Sequence, residues 1–135
     1  MLWGCDYLMK ILEENDWFVL WEEDGIYCSR YKKPTVDLEM AKMSVAARLR
    51  HSKSHPCKLF LDIKNLRYVS QAAREYSASD ESIYMAQACA VLAPSRITKL
   101  IANFFLSFNK PKIPFQIFTS KEKAFEWLKM TETEK

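Results

Sequence analysis

The stretch AVLAPSRITKLIANFFLSFNKPKIPFQIFTSKEKAFEWLK, Ala90 to Lys129, reads as strand, helix, strand, helix with few residues between. Ala90-Val91-Leu92-Ala93 is a short apolar strand. Pro94-Ser95 leads into a helix whose apolar positions are Ile97, Leu100, Ile101, Phe104, Phe105 and Phe108. Recurrence at three- and four-residue steps marks a helix with one apolar face. Lys110-Pro111-Lys112-Ile113-Pro114 makes a turn and Phe115-Gln116-Ile117-Phe118 a second strand. Thr119-Ser120-Lys121-Glu122 opens a last helix carrying Ala124, Phe125, Trp127 and Leu128. Strands alternating with amphipathic helices fit a layered α/β domain with parallel strands, since each helix must bury its apolar stripe against the sheet. The phenylalanine-bearing helix is therefore expected to lie face-down on that sheet.

Working outward, Trp17-Phe18-Val19-Leu20-Trp21 and Ile26-Tyr27-Cys28-Ser29-Arg30-Tyr31 are rich in aromatic and β-branched residues and flank Asp24-Gly25. That step is a tight-turn signal, because glycine accepts the positive φ of a primed hairpin turn, so the pair is antiparallel. Asp37 can cap a helix to about Ser52, with Leu38, Ala41, Val45 and Leu49 on one side and Met40, Met43 and Ala47 widening the apolar surface. After the Ser52-Lys53-Ser54-His55-Pro56 loop, Leu59-Phe60-Leu61-Asp62-Ile63 is a continuous apolar run suited to a central strand covered on both faces. Asn65 to Val69 form a connector, and Ser70 caps a helix to about Ser77. Ser79-Asp80 restarts a short helix before a strand around Ala88 to Ala93. The expected architecture is one α/β domain: an N-terminal antiparallel hairpin joined to a mixed sheet with parallel inner strands and about four helices. Residues 1–8 read as an appendage, 9–130 as the domain and 131–135 as a frayed polar tail.

A chain of 135 residues is one domain's worth. Its only glycines, Gly4 and Gly25, disfavour a Gly-rich phosphate loop, where backbone must approach a phosphate with no Cβ in the way. Net charge is +3, unevenly spread: no acid lies between Glu39 and Asp62, nor from Ser82 to Lys121. The bases in those spans (Lys42, Arg48, Arg50, Lys53 and Lys58, then Arg96, Lys99, Lys110, Lys112 and Lys121) alternate with apolar residues. They read as solvated helix faces rather than a nucleic-acid patch, so a nucleic-acid partner is disfavoured. Cys5, Cys28, Cys57 and Cys89 have neither the paired spacing of a disulfide framework nor that of a metal site. Three of them fall in or beside strands as small buried hydrophobes. No metal or cofactor is expected. Asp6 and Lys10 interrupt any apolar leader, and no stretch has the length to span a bilayer, so the expected location is cytoplasmic.

Candidate site residues are few. Arg96, Lys99, Asn103 and Ser107 fall within about 80° of one another at 100° per residue, a polar stripe able to meet an anionic ligand or a partner helix. Leu106 projects beside it and hints at a contact surface. Asp62 ends a central strand at its carboxyl edge, where open α/β sheets tend to bind ligands, though it can equally cap the following turn. Ser70 is a helix cap before it is a phosphoacceptor. Tyr68, Arg74 and Tyr76 gather around the same helix start and could line a pocket. His51 and His55 have no partner arranged for catalysis.

The order of elements, with Leu61-Asp62-Ile63, Val69-Ser70-Gln71-Ala72-Ala73-Arg74-Glu75, Arg96-Ile97 followed by Ala102-Asn103-Phe104-Phe105-Leu106, Asn109-Lys110-Pro111 and Ala124 with Trp127-Leu128, resembles the STAS superfamily. That is the fold of bacterial anti-sigma-factor antagonists and of sulfate-transporter cytoplasmic domains; the nearer likeness is to small uncharacterised bacterial STAS-like proteins. The antagonists carry Asp-Ser-Ser-Gly at the start of the second helix and take phosphate on the first serine. Here the chain reads Ser70-Gln71-Ala72-Ala73, with glutamine in the acceptor slot. The resemblance thus implies a non-enzymatic regulatory or binding module without the usual phosphoacceptor, acting through a regulatory protein partner, a homodimer contact, or a small apolar or anionic ligand. Two alternatives stand beside it. One is a lipid or hydrophobic small-molecule binder related to CRAL-TRIO-type folds, which a pocket of several hundred Å³ between the phenylalanine helix and the sheet would favour and tight packing there would remove. The other is an enzyme with a site at Asp62, Tyr68 and Arg74, which lack an acid–base pair.

Overall fold

The computed structural model describes residues 9–131; the expectations for 1–8 and for 132–135 fall outside it. β1 (Met9–Glu14) and β2 (Phe18–Glu23) pair antiparallel, and β2 pairs antiparallel with β3 (Ile26–Tyr31). Asp24 and Gly25 both take positive φ, 55° and 77°, as the primed turn requires. β4 (Thr35–Val36) precedes α1 (Leu38–Ser52), whose cap is Asp37: its Oδ1 accepts the Met40 N–H at 2.9 Å. β5 (Cys57–Asp62) then runs parallel to β3. β6 (Tyr68–Val69), within the expected connector, pairs parallel with β4 and so clasps the start of α1 to the start of α2 (Gln71–Ser77). β7 (Ala86–Leu92), α3 (Arg96–Phe108), β8 (Phe115–Phe118) and α4 (Lys121–Met130) complete the chain. The six long strands form one sheet in the order β1-β2-β3-β5-β7-β8, antiparallel over its first three strands and parallel thereafter.

Side chains alternate across the sheet. Val19, Trp21, Cys28, Phe60, Ala88 and Ala90 share one face, where α4 lies, with Ala124, Phe125 and Leu128 buried against them. The small Ala88 and Ala90 let the helix seat closely, and the Phe125 ring meets Phe60 edge-on with centroids 5.0 Å apart. Leu59, Leu61, Cys89, Val91, Phe115 and Ile117 face the other way, toward α1, α2 and α3.

Three local expectations need correcting. Residues 80–85 form turns rather than a short helix; these lead Met85 into β7 with a positive φ of 65°. Thr131 is not frayed: its N–H and hydroxyl both donate to the Trp127 carbonyl, and its own carbonyl accepts from Lys58 Nζ at 2.9 Å. The third concerns α3. Thr98 and Ala102 are its buried positions, with Ile101 and Phe105 half-buried, while Ile97, Leu100, Phe104 and Phe108 are exposed, Leu100 and Phe108 at 68% and 69%. The helix is turned roughly a quarter-turn from the orientation its apolar pattern demands, at 100° per residue. It is held by its small side, by Phe105 against Phe115 (5.4 Å between centroids), and by the Arg74 guanidinium 4.8 Å above the Phe104 ring.

Candidate functional site

Because α3 turns its small residues inward, the layer beneath it is not filled. A partly open cavity of about 170 Å³ lies between the sheet and the three helices. Its floor is Leu59, Leu61, Cys89 and Val91, and its cover includes Ala41 and Val45 of α1 and Ile101, Ala102 and Phe105 of α3. The lining is mostly apolar. An engineered cavity of about 150 Å³ with walls of this kind stays dry and accepts benzene. The room here thus suits a single ring, and falls short of the roughly 300–1,000 Å³ that larger ligands occupy.

Polar side chains of the lining include Arg74 and Ser77 of α2, and two further polar places are the Tyr31–Ser44 pair and Arg48. The Tyr31 hydroxyl and Ser44 Oγ lie 3.0 Å apart, and Ser44 donates onward to the Ala41 carbonyl at 3.0 Å, so Tyr31 is the donor of that pair. The second group is Arg48. It is only 6% exposed, although the charge pattern places it with the solvated bases. Its Nη1 donates to the Ser82 carbonyl at 3.1 Å and its Nη2 to the Tyr84 carbonyl at 2.6 Å, tying α1 to the turns before β7. Its Nε–H, also buried, has no acceptor among the described residues. Burial pulls the guanidinium below its ordinary value, yet arginine stays cationic at neutral pH. The titratable groups facing it are Cys57, Cys89 and Tyr76. Burial raises all three, Cys89 and Tyr76 each to about 12, so none offers a negative charge at neutral pH. One sequence signal could have found Arg48: at 100° per residue it lies about 20° from Ala41 around α1, on the buried face.

The structure separates the residues singled out from sequence. Asp62, buried at the end of β5, shares its face with Phe60; its Oδ1 accepts the Lys64 N–H at 3.0 Å and its Oδ2 lies 3.7 Å from Arg30 Nη1. Arg74 works on the opposite face, bonded to the Val69 carbonyl at 2.8 Å and stacked on α3. Tyr68 is exposed on β6. Ser70 caps α2, its Oγ accepting the Ala73 N–H at 3.1 Å. Asp62, Tyr68 and Arg74 therefore do not converge. Arg96, Lys99, Asn103 and Ser107 form the exposed polar stripe that the wheel predicts, but Leu106 beside it is half-buried, and the projecting leucine is Leu100. Of the eight candidates, Arg74 alone lines the cavity. His51 joins Arg50 on Glu13 of β1, with His51 Nε2 2.9 Å from the carboxylate. Burial works to raise the Glu13 pKa, but hydrogen bonds from Arg50 and His51 outweigh it and hold the carboxyl below its ordinary value. Among the described residues no helix is long and apolar enough to cross a membrane.

With this geometry in hand, the chain can be set beside known proteins. Residues 20–132 match the family model described as a domain of unknown function, DUF7793, and the chain belongs to that family. A search of the curated proteins returns no match. Among solved structures, an uncharacterized protein of the DUF3478 family with a SpoIIAA-like fold, from Shewanella loihica PV-4, superposes with a TM-score of 0.55. It is 14% identical, over 89% of this chain and 91% of its own. That likeness bears on the fold, which is the STAS-like one expected from the sequence.

Proposed function

We propose that this member of the DUF7793 family is a non-enzymatic binding module that holds one small, largely apolar molecule between the sheet and helices α1–α3. The observation that carries the reading is the cavity of about 170 Å³ and its mostly apolar lining. Its size favours a single-ring molecule over the lipid alternative. The separation of Asp62 from Arg74 across the sheet removes the support for a reaction at that edge. Titrating toluene into the protein while following methyl resonances tests it. Saturable shifts at Leu59, Val91 and Ile101 are expected, and silence at these methyls in toluene-saturated buffer would sink the reading.

A protein-partner role rests on a separate observation, the exposed row Ile97, Leu100, Phe104 and Phe108. Arg96, Lys99 and Lys110 border it, so its complement is an apolar segment of another protein flanked by acids. A second copy would bring like charges together. Light scattering that showed a dimer, abolished by Leu100→Ser, would replace that partner with a second copy of the chain.

A further inference from the structure

Arg48 has no structural need to be an arginine at its inner end. Its two terminal nitrogens anchor the turn carbonyls of Ser82 and Tyr84, yet the Nε–H of this cavity-lining side chain has no acceptor among the described residues. A buried donor left unmade is costly, and a buried cation without a counter-ion more so. The groups that face it cannot supply the charge: two thiols and a phenol, each held neutral by burial. No carboxylate is paired with it among the described residues, whereas Arg30 pairs with Asp62 and Lys121 with Glu23. A charged donor beside an apolar cavity has the chemistry of a receptor for an amphiphilic anion.

We propose that Arg48 is an anion receptor at the polar end of the cavity, and that the ligand class is a small single-ring or short-chain carboxylate. One carboxylate oxygen would accept the Nε–H, and the apolar body would lie over Leu59 and Val91 beneath Ile101 and Phe105. The carboxylate supplies at once the missing acceptor and the missing charge, and charge-assisted bonds of this kind are the strong ones. Tyr31 and Ser44, already bonded to each other, give the ring a second polar edge, while the other guanidinium of the lining, Arg74, is already engaged by the Val69 carbonyl and the Phe104 ring. The inference rests on the cavity being a binding site, and it adds the chemistry that selects what enters.

The test titrates benzoate, benzamide and toluene separately into the intact wild-type chain. Cavity methyls are followed together with the Arg48 Nε–H resonance, identified by its loss in R48K. Benzoate is expected to bind at least about tenfold tighter than benzamide or toluene and to move the Arg48 Nε–H. R48K keeps the charge but lacks the guanidinium donor; it should weaken benzoate by about tenfold and leave toluene unchanged. If that variant does not fold, R74K decides: benzoate's advantage over benzamide and toluene should survive loss of the other guanidinium in the lining, and its disappearance would overturn the assignment to Arg48. Toluene or benzamide binding as well as benzoate would overturn the anion receptor and leave the apolar site standing. Benzoate that moves only surface lysine and arginine resonances would overturn it too. Failure of all three probes to reach the cavity methyls would remove the binding site itself.

Discussion

On one face of the sheet a single helix, α4, buries Ala124, Phe125 and Leu128 into a surface made shallow by Ala88 and Ala90. On the other, three helices share the cover and leave about 170 Å³ unfilled. Strand composition alone does not explain the contrast, since both faces carry branched and aromatic side chains. The difference lies in how each helix is turned. Large residues of α4 point at the sheet; α3 gives the sheet Thr98 and Ala102, and four of its seven large apolar residues go to solvent. Close packing is thus a property of one layer here, and room for a ligand a property of the other.

Matched truncations should break this comparison most visibly. Leu128→Ala, at a fully buried position on the sheet side of α4, is expected to cost about 2–5 kcal/mol in urea unfolding. Ile101→Ala removes as many atoms from a half-buried side chain that already borders empty space, and should cost no more than about half as much. Equal losses would mean that the two layers are packed alike. Enlargement sharpens the same point from the other side. Ala124→Leu should destabilise by about 1–3 kcal/mol, because nothing on that face can give way. Ala102→Leu should be close to neutral and should abolish toluene shifts by occupying the space.

The smallest effect belongs to the fastening of β1 onto α1 through Glu13, Arg50 and His51. Glu13→Gln is expected to cost about 0.2–1 kcal/mol near neutral pH. Because the folded carboxyl titrates below its ordinary value, its contribution is fully present above the unfolded pKa and is lost as pH falls through the folded one. Wild type and variant should therefore converge in acid. A gap that widened on acidification would contradict the pairing with Arg50 and His51.

Much of the scaffold was legible because it is decided locally. Asp24-Gly25 allows only a tight reversal, and Asp37, Ser70 and Ser120 each cap the helix that follows with a side-chain oxygen. The alternation after Ala86 leaves little choice but parallel strands. The cavity was not legible, because it depends on which side of α3 meets the sheet, and six apolar positions over a wide arc permit more than one answer. Phe105 and Phe115 settle it by stacking across elements, a contact no spacing within the helix encodes. The candidate site failed for a related reason. Asp62 and Arg74 are close in sequence, but strand alternation turns Asp62 to the Phe60 face, while α2, which carries Arg74, packs on the other. The burial of Arg48 was readable from the wheel of α1, but a basic residue in a basic span reads first as a wet one.

The buried thiols sit where they can tell the two layers apart. Cys28 looks toward α4 and Cys89 toward the cavity side, and both are unpaired. Cys28 is sealed beneath α4, whereas Cys89 lies at the floor of the partly open cavity, so the chain carries a separate chemical clock for either layer, wound into its native sequence and needing no added label site.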